Sequence, residues 1–343
     1  MTTPPEQGAI LAMDLGGTTL SSGLVRPSGS VLAARCVPVG RDGGGDGVVR
    51  LLLAAAEDLR REAEHIGESV LGIGLGLPGA IDVRTGVIGE DIQNLPALRG
   101  LSIRRMLQER LGLPVAVDND VNALLLGEWM FGEARGASHA AMLAAGTGVG
   151  GALLVHGRLV RGASGYAGEI GHIPVELDGP PCVCGSRGCV KTYAAGPDIA
   201  DRARELARSG HSPGLLALAE GDPARIDAPL VFTAAAAGDP GALGVVAKAA
   251  QALGAAVATL VNLCNPEIIV LGGGVFEAGA VLLDPVRRWA ERYAFAAPLR
   301  RTRIVRASFS KAGGIRGAAA LFRYERGRPP GGGVPPDIRD GQA

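Results

Sequence analysis

The chain has 343 residues, enough for two domains of ordinary size, and 47% of them are hydrophobic, which excludes a largely disordered protein. Its 34 basic residues balance 34 acidic ones, so it carries no electrostatic footprint for nucleic acid or an anionic membrane. The first eight residues include Pro4 and Pro5 but lack the basic and apolar regions of a signal peptide, and apolar stretches such as 255–263 are too short to span a bilayer. Of five cysteines, three fall within 182–189; in a cytoplasmic chain, as expected here, such clustering points to metal and not to disulfides.

Apolar runs at 9–14, 20–25 and 30–39, separated by Gly16-Gly17 and by Arg26-Pro27-Ser28-Gly29, predict three strands. Leu51, Leu52, Ala55, Leu59 and Ala63 share one helical face over 48–66, and 70–77 reads as a strand ending in Pro78-Gly79. Next come a helix over 103–111, a strand at 115–117 and a helix over 121–131 with Asp120 as N-cap. The pattern restarts near His139, with a strand at 140–145, a turn at 146–148 and strands at 151–155 and 158–160. Two such units about 130 residues apart predict two similar α/β domains, 1–119 and 120–323, facing each other across a ligand cleft. Beyond a Cys/Gly/Pro insertion at 180–188, helices are expected at 198–206 and 240–263 and a buried strand at 267–271. Residues 324–343, rich in Pro and Gly, read as a disordered tail.

Three Gly-rich turns follow apolar strands: Asp14-Leu15-Gly16-Gly17-Thr18-Thr19, Gly146-Thr147-Gly148-Val149-Gly150-Gly151 and Gly272-Gly273-Gly274. Glycine lets backbone N–H groups converge on an anion, and Thr hydroxyls add donors, so the three together predict a phosphate cradle. Asp14, ending the first strand, is placed to hold Mg²⁺ directly or through water. Taken singly, each turn could be a plain hairpin. None matches the Walker pattern or a dinucleotide fingerprint.

His172, Cys182, Cys184 and Cys189 give the ligand string His-x9-Cys-x-Cys-x4-Cys, suited to one tetrahedral Zn²⁺. Four protein ligands leave no open position, so this zinc is expected to be structural. Cys36 and Cys264 each stand alone and read as small buried thiols.

Phosphoryl transfer asks of a protein mainly positioned phosphates, a metal and a carboxylate to take the proton of the attacking hydroxyl. Asp120, within Val117-Asp118-Asn119-Asp120-Val121-Asn122, is the candidate base; an N-cap satisfying helix N–H groups is the competing role. Glu169, three residues before His172, could accept bonds from vicinal hydroxyls or simply face solvent. If one ring nitrogen of His172 binds zinc, the other could meet a sugar hydroxyl.

With these pieces, the chain resembles the ROK family of sugar kinases, repressors and related open reading frames, from about residue 10 to 321. The most specific element is Gly-Glu-Ile-Gly-His with Cys-x-Cys-Gly-x-x-Gly-Cys at 168–189. Asp-Leu-Gly-Gly-Thr (14–18), Gly-Leu-Pro-Gly (76–79), Asn-Asp-x-Asn (119–122), Gly-Thr-Gly-Val-Gly-Gly (146–151) and Leu-Gly-Gly-Gly (271–274) follow in family order. The resemblance implies a two-domain actin/hexokinase-like, ribonuclease H-like α/β fold, usually a homodimer, closing over sugar and Mg-ATP. It implies Asp120 as base, with Gly79, Asn94, Asn119, Asp120, Glu169 and His172 around the sugar. Nucleotide contacts are implied at Gly17, Thr18, Thr147, Gly148 and Gly273, beside Asp14, Gly16, Thr19, Gly146 and Gly272 of the same loops. The first strand begins near Ala9, which points to the kinase branch and not to repressors with an N-terminal helix-turn-helix domain.

Two positions depart from the family. Lys191 stands where a sugar-binding Glu is usual, and Ala97 and Leu98 follow Pro96 where the segment usually runs into Trp. The expectation is therefore an ATP-dependent kinase acting on the 6-hydroxyl of a glucose-like hexose or aminohexose. The alternatives are a specialised amino-sugar kinase, for kanosamine or N-acetylmannosamine, and a non-catalytic sugar-binding regulator.

Overall fold

The computed structural model describes residues 8–40, 43–309 and 312–327. Strands β1 (Ala9–Leu15), β2 (Thr19–Val25) and β3 (Val31–Pro38) form an antiparallel meander, after which helix α1 (Gly44–His65) crosses over to β4 (Val70–Leu77), parallel to β1. A small hairpin, β5 (Ile81–Asp82) and β6 (Val87–Ile88), and helix α2 (Ile103–Leu111) lead to β7 (Val115–Asn119). The sheet order is β3-β2-β1-β4-β7.

Helix α3 (Asp120–Phe131) carries the chain to a second sheet: β8 (Ala140–Ala145), β9 (Val149–Val155) and β10 (Arg158–Leu159) as a meander. Helices α4 (Lys191–Ala194), α5 (Gly196–Arg208), α6 (Pro213–Leu218), α7 (Ala228–Ala236) and α8 (Pro240–Cys264) precede β11 (Ile268–Gly272). Helices α9 (Ala280–Tyr293) and α10 (Ala296–Leu299) lead to β12 (Arg303–Arg306), and α11 (Gly313–Arg326) follows. This sheet is ordered β10-β9-β8-β11-β12, the first topology repeated strand for strand. The duplication expected from the turn pattern is thus present, and the fold is the mixed α/β class anticipated.

Both sheets are covered on both faces, which is why their central strands read as unbroken apolar runs. In β1, Ala9, Leu11 and Met13 face the core under α1 and α2, while Ile10 and Ala12 face α3 and α11. In β8 the same alternation sends Ala141, Leu143 and Ala145 toward α5, α7 and α8, and Ala140, Met142 and Ala144 toward α3 and α11. Helices α3 and α11 therefore lie between the sheets and form the middle of five layers. The position between 119 and 120 separates the sheets, but α11 returns to pack on β1 and β4.

Cys36, read as a buried thiol, is exposed on the edge strand β3, and Cys264 is half-buried. Three further local expectations change. The N-cap of α3 is Asn119, whose Oδ1 accepts from the Val121 and Asn122 N–H groups at 2.9 and 3.2 Å, and Asp120 is the first helical residue. Helix α11 runs through Arg326, so 324–326 belong to the fold; 328–343 lie outside the described residues. Helix α8 is, by length and composition, apolar enough to cross a membrane, yet 67% of its most apolar window is buried inside the protein.

Gly74 sets how closely the middle layer approaches β4, because a Cβ there would collide with the Ala318 carbonyl of α11. Gly74→Val is expected to cost about 1–3 kcal/mol by overpacking and to lower the melting temperature by several degrees. Gly244→Ala, in α8 with nothing within 4 Å of the new Cβ, should hold or raise it. Thermal unfolding of both variants checks the contrast.

Candidate active site

The floor of the cleft is built at the carboxyl ends of β1, β4 and β7, where open α/β sheets commonly place ligands. The register aligns Asp14 with Gly76 and Gly76 with Asp118. A Cβ on Gly76 would sit 3.2 Å from Asp14 Oδ1 and 3.3 Å from the Asp120 Cα, so glycine lets the two acids close on one another. Gly314, in the first turn of α11, is likewise small because a side chain there would strike the Asp14 carboxylate. Burial pushes Asp14 up to about 6. Burial, and then the charges of Asp14 and Glu169, push Asp120 up to about 7, against a backbone hydrogen bond from the Val121 N–H at 2.8 Å. A carboxylate tuned to neutral pH suits a general base.

Around this floor the predicted sugar residues converge from both lobes. Gly79 takes φ +87°, a glycine conformation, and its carbonyl accepts from Asn119 Nδ2 at 3.2 Å. Asn94 packs against Gly17, where any Cβ would fall 3.0 Å from the Asn94 Cβ. On the other side a short turn at Ile170–His172 lies on β9; side chains at Gly151 or Gly171 would collide with it or with the strand. The start of β9 touches α3 in turn, a Cβ on Gly150 falling 2.9 Å from Val121 Cγ2. Glu169 is thereby brought within electrostatic reach of Asp120, and burial followed by Asp91 raises its own pKa. Glu169 is also exposed to solvent, as its plainer reading held. Tyr166 donates to Asp91 Oδ2 at 2.7 Å, linking the rims of the two lobes.

The first two Gly-rich loops do close their own hairpins, as the plainer reading held: the Gly16 N–H donates to Thr19 O, and the Gly146 N–H to Gly148 O, both at 2.8 Å; the third leads from β11 into a short helical turn at Gly274–Ala278. They also leave Thr18, Thr19 and Thr147 exposed. Gly272 pairs with Ala144, and Gly273, at φ +87°, packs on the Ala145 backbone too closely for any side chain. The loops after β8 and β11 thus lie side by side, an arrangement that can present N–H and hydroxyl donors to phosphates.

The four thiol and imidazole donors converge. Cys184 Sγ lies 3.8 Å from Cys189 Sγ, Cys182 Sγ lies 3.6 Å from His172 Nδ1, and all four donor atoms fall within 4.8 Å of one another. Tetrahedral bonds of ~2.3 Å separate two sulfurs by roughly 3.8 Å, so the set fits a structural zinc ion. Burial and then Lys191 hold His172 below its ordinary pKa, in the neutral form a metal needs. Lys191 itself, at the start of α4, donates to Asp198 Oδ2 at 2.9 Å.

Sequence reasoning missed the support behind Asp120. Asp118, 2% exposed, accepts from the Asn119 N–H (2.7 Å) and Asn122 Nδ2 (3.0 Å) on Oδ1, and from Arg161 Nε (2.7 Å) on Oδ2. Its only signal was a second acid two residues before the candidate base.

Comparison with known proteins follows the same outline. The ROK family model matches residues 10–325. A glucokinase of Halalkalibacterium halodurans is 40% identical over 83% of this chain and 86% of its own length. A glucokinase of Thermotoga maritima is 35% identical over 93% of this chain and 98% of its own. The crystal structure of a ROK family glucokinase from Streptomyces griseus in complex with glucose and AMPPNP is 32% identical, covers 92% of this chain and 100% of its own, and has a TM-score of 0.81.

The purified protein should contain one zinc per chain by elemental analysis, and Cys184→Ser should lose the metal and melt earlier; metal loss with an unchanged melting temperature would contradict a structural role. The acidic floor predicts a second effect. Because the Asp120 pKa is raised on folding from 3.8 to about 7, stability falls as pH rises between those values, and the full cost is present above about 7. Asp120→Asn should therefore out-melt the wild type at pH 8, with the gap narrowing by pH 5.5 and closing only toward about pH 4, where the carboxyl is protonated in the unfolded chain as well. Equal melting curves at pH 8 would show that no such cost exists.

Proposed function

We propose, from the premise that this chain belongs to the ROK family, that it is an ATP-dependent kinase transferring the γ-phosphoryl group to the 6-hydroxyl of a glucose-like hexose. The observation that carries this reading is the meeting of Asp14 and Asp120 at Gly76, opposite Glu169, in a cleft flanked by phosphate-suited loops. Relatives named glucokinase, 35% and 40% identical over most of the chain, support the sugar class.

In the proposed step, Asp120 accepts the proton as the sugar O6 forms its bond to the γ-phosphorus and the bond to ADP breaks. Glu169 and Asn119 would accept and donate hydrogen bonds to ring hydroxyls, fixing O6 near Asp120; Gly79, Asn94 and His172 complete that wall. Gly17, Thr18, Thr147, Gly148 and Gly273 would hold the nucleotide through N–H and hydroxyl donors, with Thr19 adding a hydroxyl; Gly16 and Gly146, whose N–H groups close the hairpins, and Gly272, paired in β11, would shape the loops around it. Mg²⁺, when bound, neutralises phosphate charge, and Asp14 is the residue suited to hold it directly or through water. Closure of the lobes would exclude water and suppress ATP hydrolysis. We place the protein in the cytoplasm, where its thiols stay available to zinc, and expect a homodimer.

Lys191 favours a second, narrower reading of substrate choice. Its ammonium is committed to Asp198 at 2.9 Å, yet it lies close enough to His172 to depress that pKa. A cation at this edge of the sugar wall would favour hydroxyl, carbonyl or amide oxygens over an amine. N-acetylmannosamine is then a better alternative than kanosamine or glucosamine.

A coupled ADP-release assay over glucose, mannose, glucosamine, kanosamine and N-acetylmannosamine tests the proposal. Wild type should turn over at least one neutral hexose, and Asp120→Ala should lose about 10²–10⁴-fold in kcat, the usual contribution of a general base. Below pH 7, kcat/KM should fall about tenfold per pH unit as Asp120 takes up its proton. Sugar binding by calorimetry without turnover on any sugar would favour the non-catalytic regulator instead.

A further inference from the structure

One buried ionic cluster outside the cleft remains unused by the chemistry above. Arg161 follows β10 in the second lobe, and its side chain is only 10% exposed. Its Nε donates to Asp118 Oδ2 at 2.7 Å, near the end of β7 in the first lobe, and its Nη2 donates to Glu325 Oε1 at 2.6 Å, in the last turn of α11. The same guanidinium lies over the Tyr324 ring, 5.8 Å from its centroid, and the Tyr324 hydroxyl accepts from the Leu159 N–H at 2.9 Å. One side chain therefore ties together the first sheet, the second sheet's hairpin and the final helix.

The two ends of Arg161 lead to different walls of the cleft. Through its side chain it holds Asp118, whose Oδ1 is engaged by the Asn119 N–H and Asn122 Nδ2, on either side of Asp120. Through its main chain it holds the loop that carries Glu169, because the Arg161 carbonyl accepts from the Ala167 N–H at 3.1 Å. A planar guanidinium fork keeps direction as well as charge, which an ammonium on a mobile stem does not.

We propose that Arg161 is a positioning residue that braces the cleft, fixing the distance between Asp120 on one lobe and Glu169 on the other. The proposal rests on the kinase reading: a hexose held at Glu169 is presented to Asp120 at a set separation because one rigid side chain spans both supports. Asp118 and Glu325 are the two anchors of the brace. None of the three touches the reacting atoms.

Removing Arg161 alone strands the buried Asp118 charge, so Arg161→Met can fail for purely structural reasons. The decisive variant is Arg161→Met combined with Asp118→Asn, which removes the buried charge together with its partner; the other anchor, Glu325, has 28% of its side chain open to solvent, so the variant should melt close to wild type. It should nevertheless lose about 100-fold in kcat, the scale of a misplacement of about 1 Å, while the sugar KM moves less than about threefold. ATP hydrolysis without sugar should be unchanged, so the ratio of sugar phosphorylation to hydrolysis falls with kcat. Arg161→Lys, keeping the charge without the fork, should lie between the double variant and wild type. Turnover of the double variant within about threefold of wild type would overturn the brace, since stability would then account for any effect of Arg161→Met. Hydrogen exchange gives a readout independent of activity: the Ala167 and Val121 amides should exchange faster in the double variant than in wild type. Unchanged protection there would also overturn the brace. A wild type inactive on every sugar refutes the kinase reading, while the exchange comparison still decides the brace.

Discussion

Two carboxylates are held against one another at the bottom of a cleft, and the surrounding structure is arranged to permit it. Each would lower its own energy by moving toward water, and the charge of Asp14 adds to the proton affinity of Asp120. They stay because three parallel strands end at the same level and because the residue between them, Gly76, has no side chain. The first turn of α11 closes over Asp14 at Gly314 for the same steric reason. A folded protein accepts such a destabilised arrangement where a cation and a substrate hydroxyl relieve it, and this cost is what makes Asp120 basic enough to take a proton near neutrality.

The second lobe completes the site by a different means. Glu169 and His172 sit on a turn of only three helical residues, too short to hold itself. Two supports compensate. Below the turn, β9 approaches so closely that Gly151 and Gly171 admit no Cβ; beyond it, the three cysteines gather on His172 Nδ1 and anchor its far end. A cluster suited to a structural zinc ion thus lies where loop entropy would otherwise blur the wall we propose for the sugar, to which we also assign its histidine.

Much of this was legible in the chain because it is local. The strand at 70–77, the helix at 103–111 and the strand at 140–145 have the bounds their apolar patterns predict. The glycine loops and the Cys/His string were legible because phosphate and zinc chemistry demand those residues at those spacings. What escaped was decided at long range or lacked a pattern. Helix α7 is apolar almost throughout and shows no polar face to mark its period, and α9 contains Pro285, which reads as a breaker. The choice of Asn119 over Asp120 as cap turns on backbone angles, because either side chain suits the role. Residues 324–326 read as tail from the Pro/Gly-rich composition that follows, yet Leu159 and Arg161, more than 160 residues away, hold them in place. The pairing of Arg161 with Asp118, 43 residues apart, left no local pattern for the same reason.

The duplicated sheets also explain why only one lobe carries the metal-suited acid. Asp14 pairs with Gly76 on the strand parallel to it, one residue short of the hairpin turn; in the second sheet Ala144 occupies the same place, paired with Gly272. The first copy of the loop therefore opens from a carboxylate, and the second opens from two alanines. On the proposed reading, a cation-binding acid is useful on the side where the sugar hydroxyl and the transferred phosphoryl group would meet. On the other side, where the loops after β8 and β11 lie together, a carboxylate would repel the phosphates that the N–H donors are arranged to attract. One topology, used twice, thus yields two unlike half-sites through the residue at a single register position.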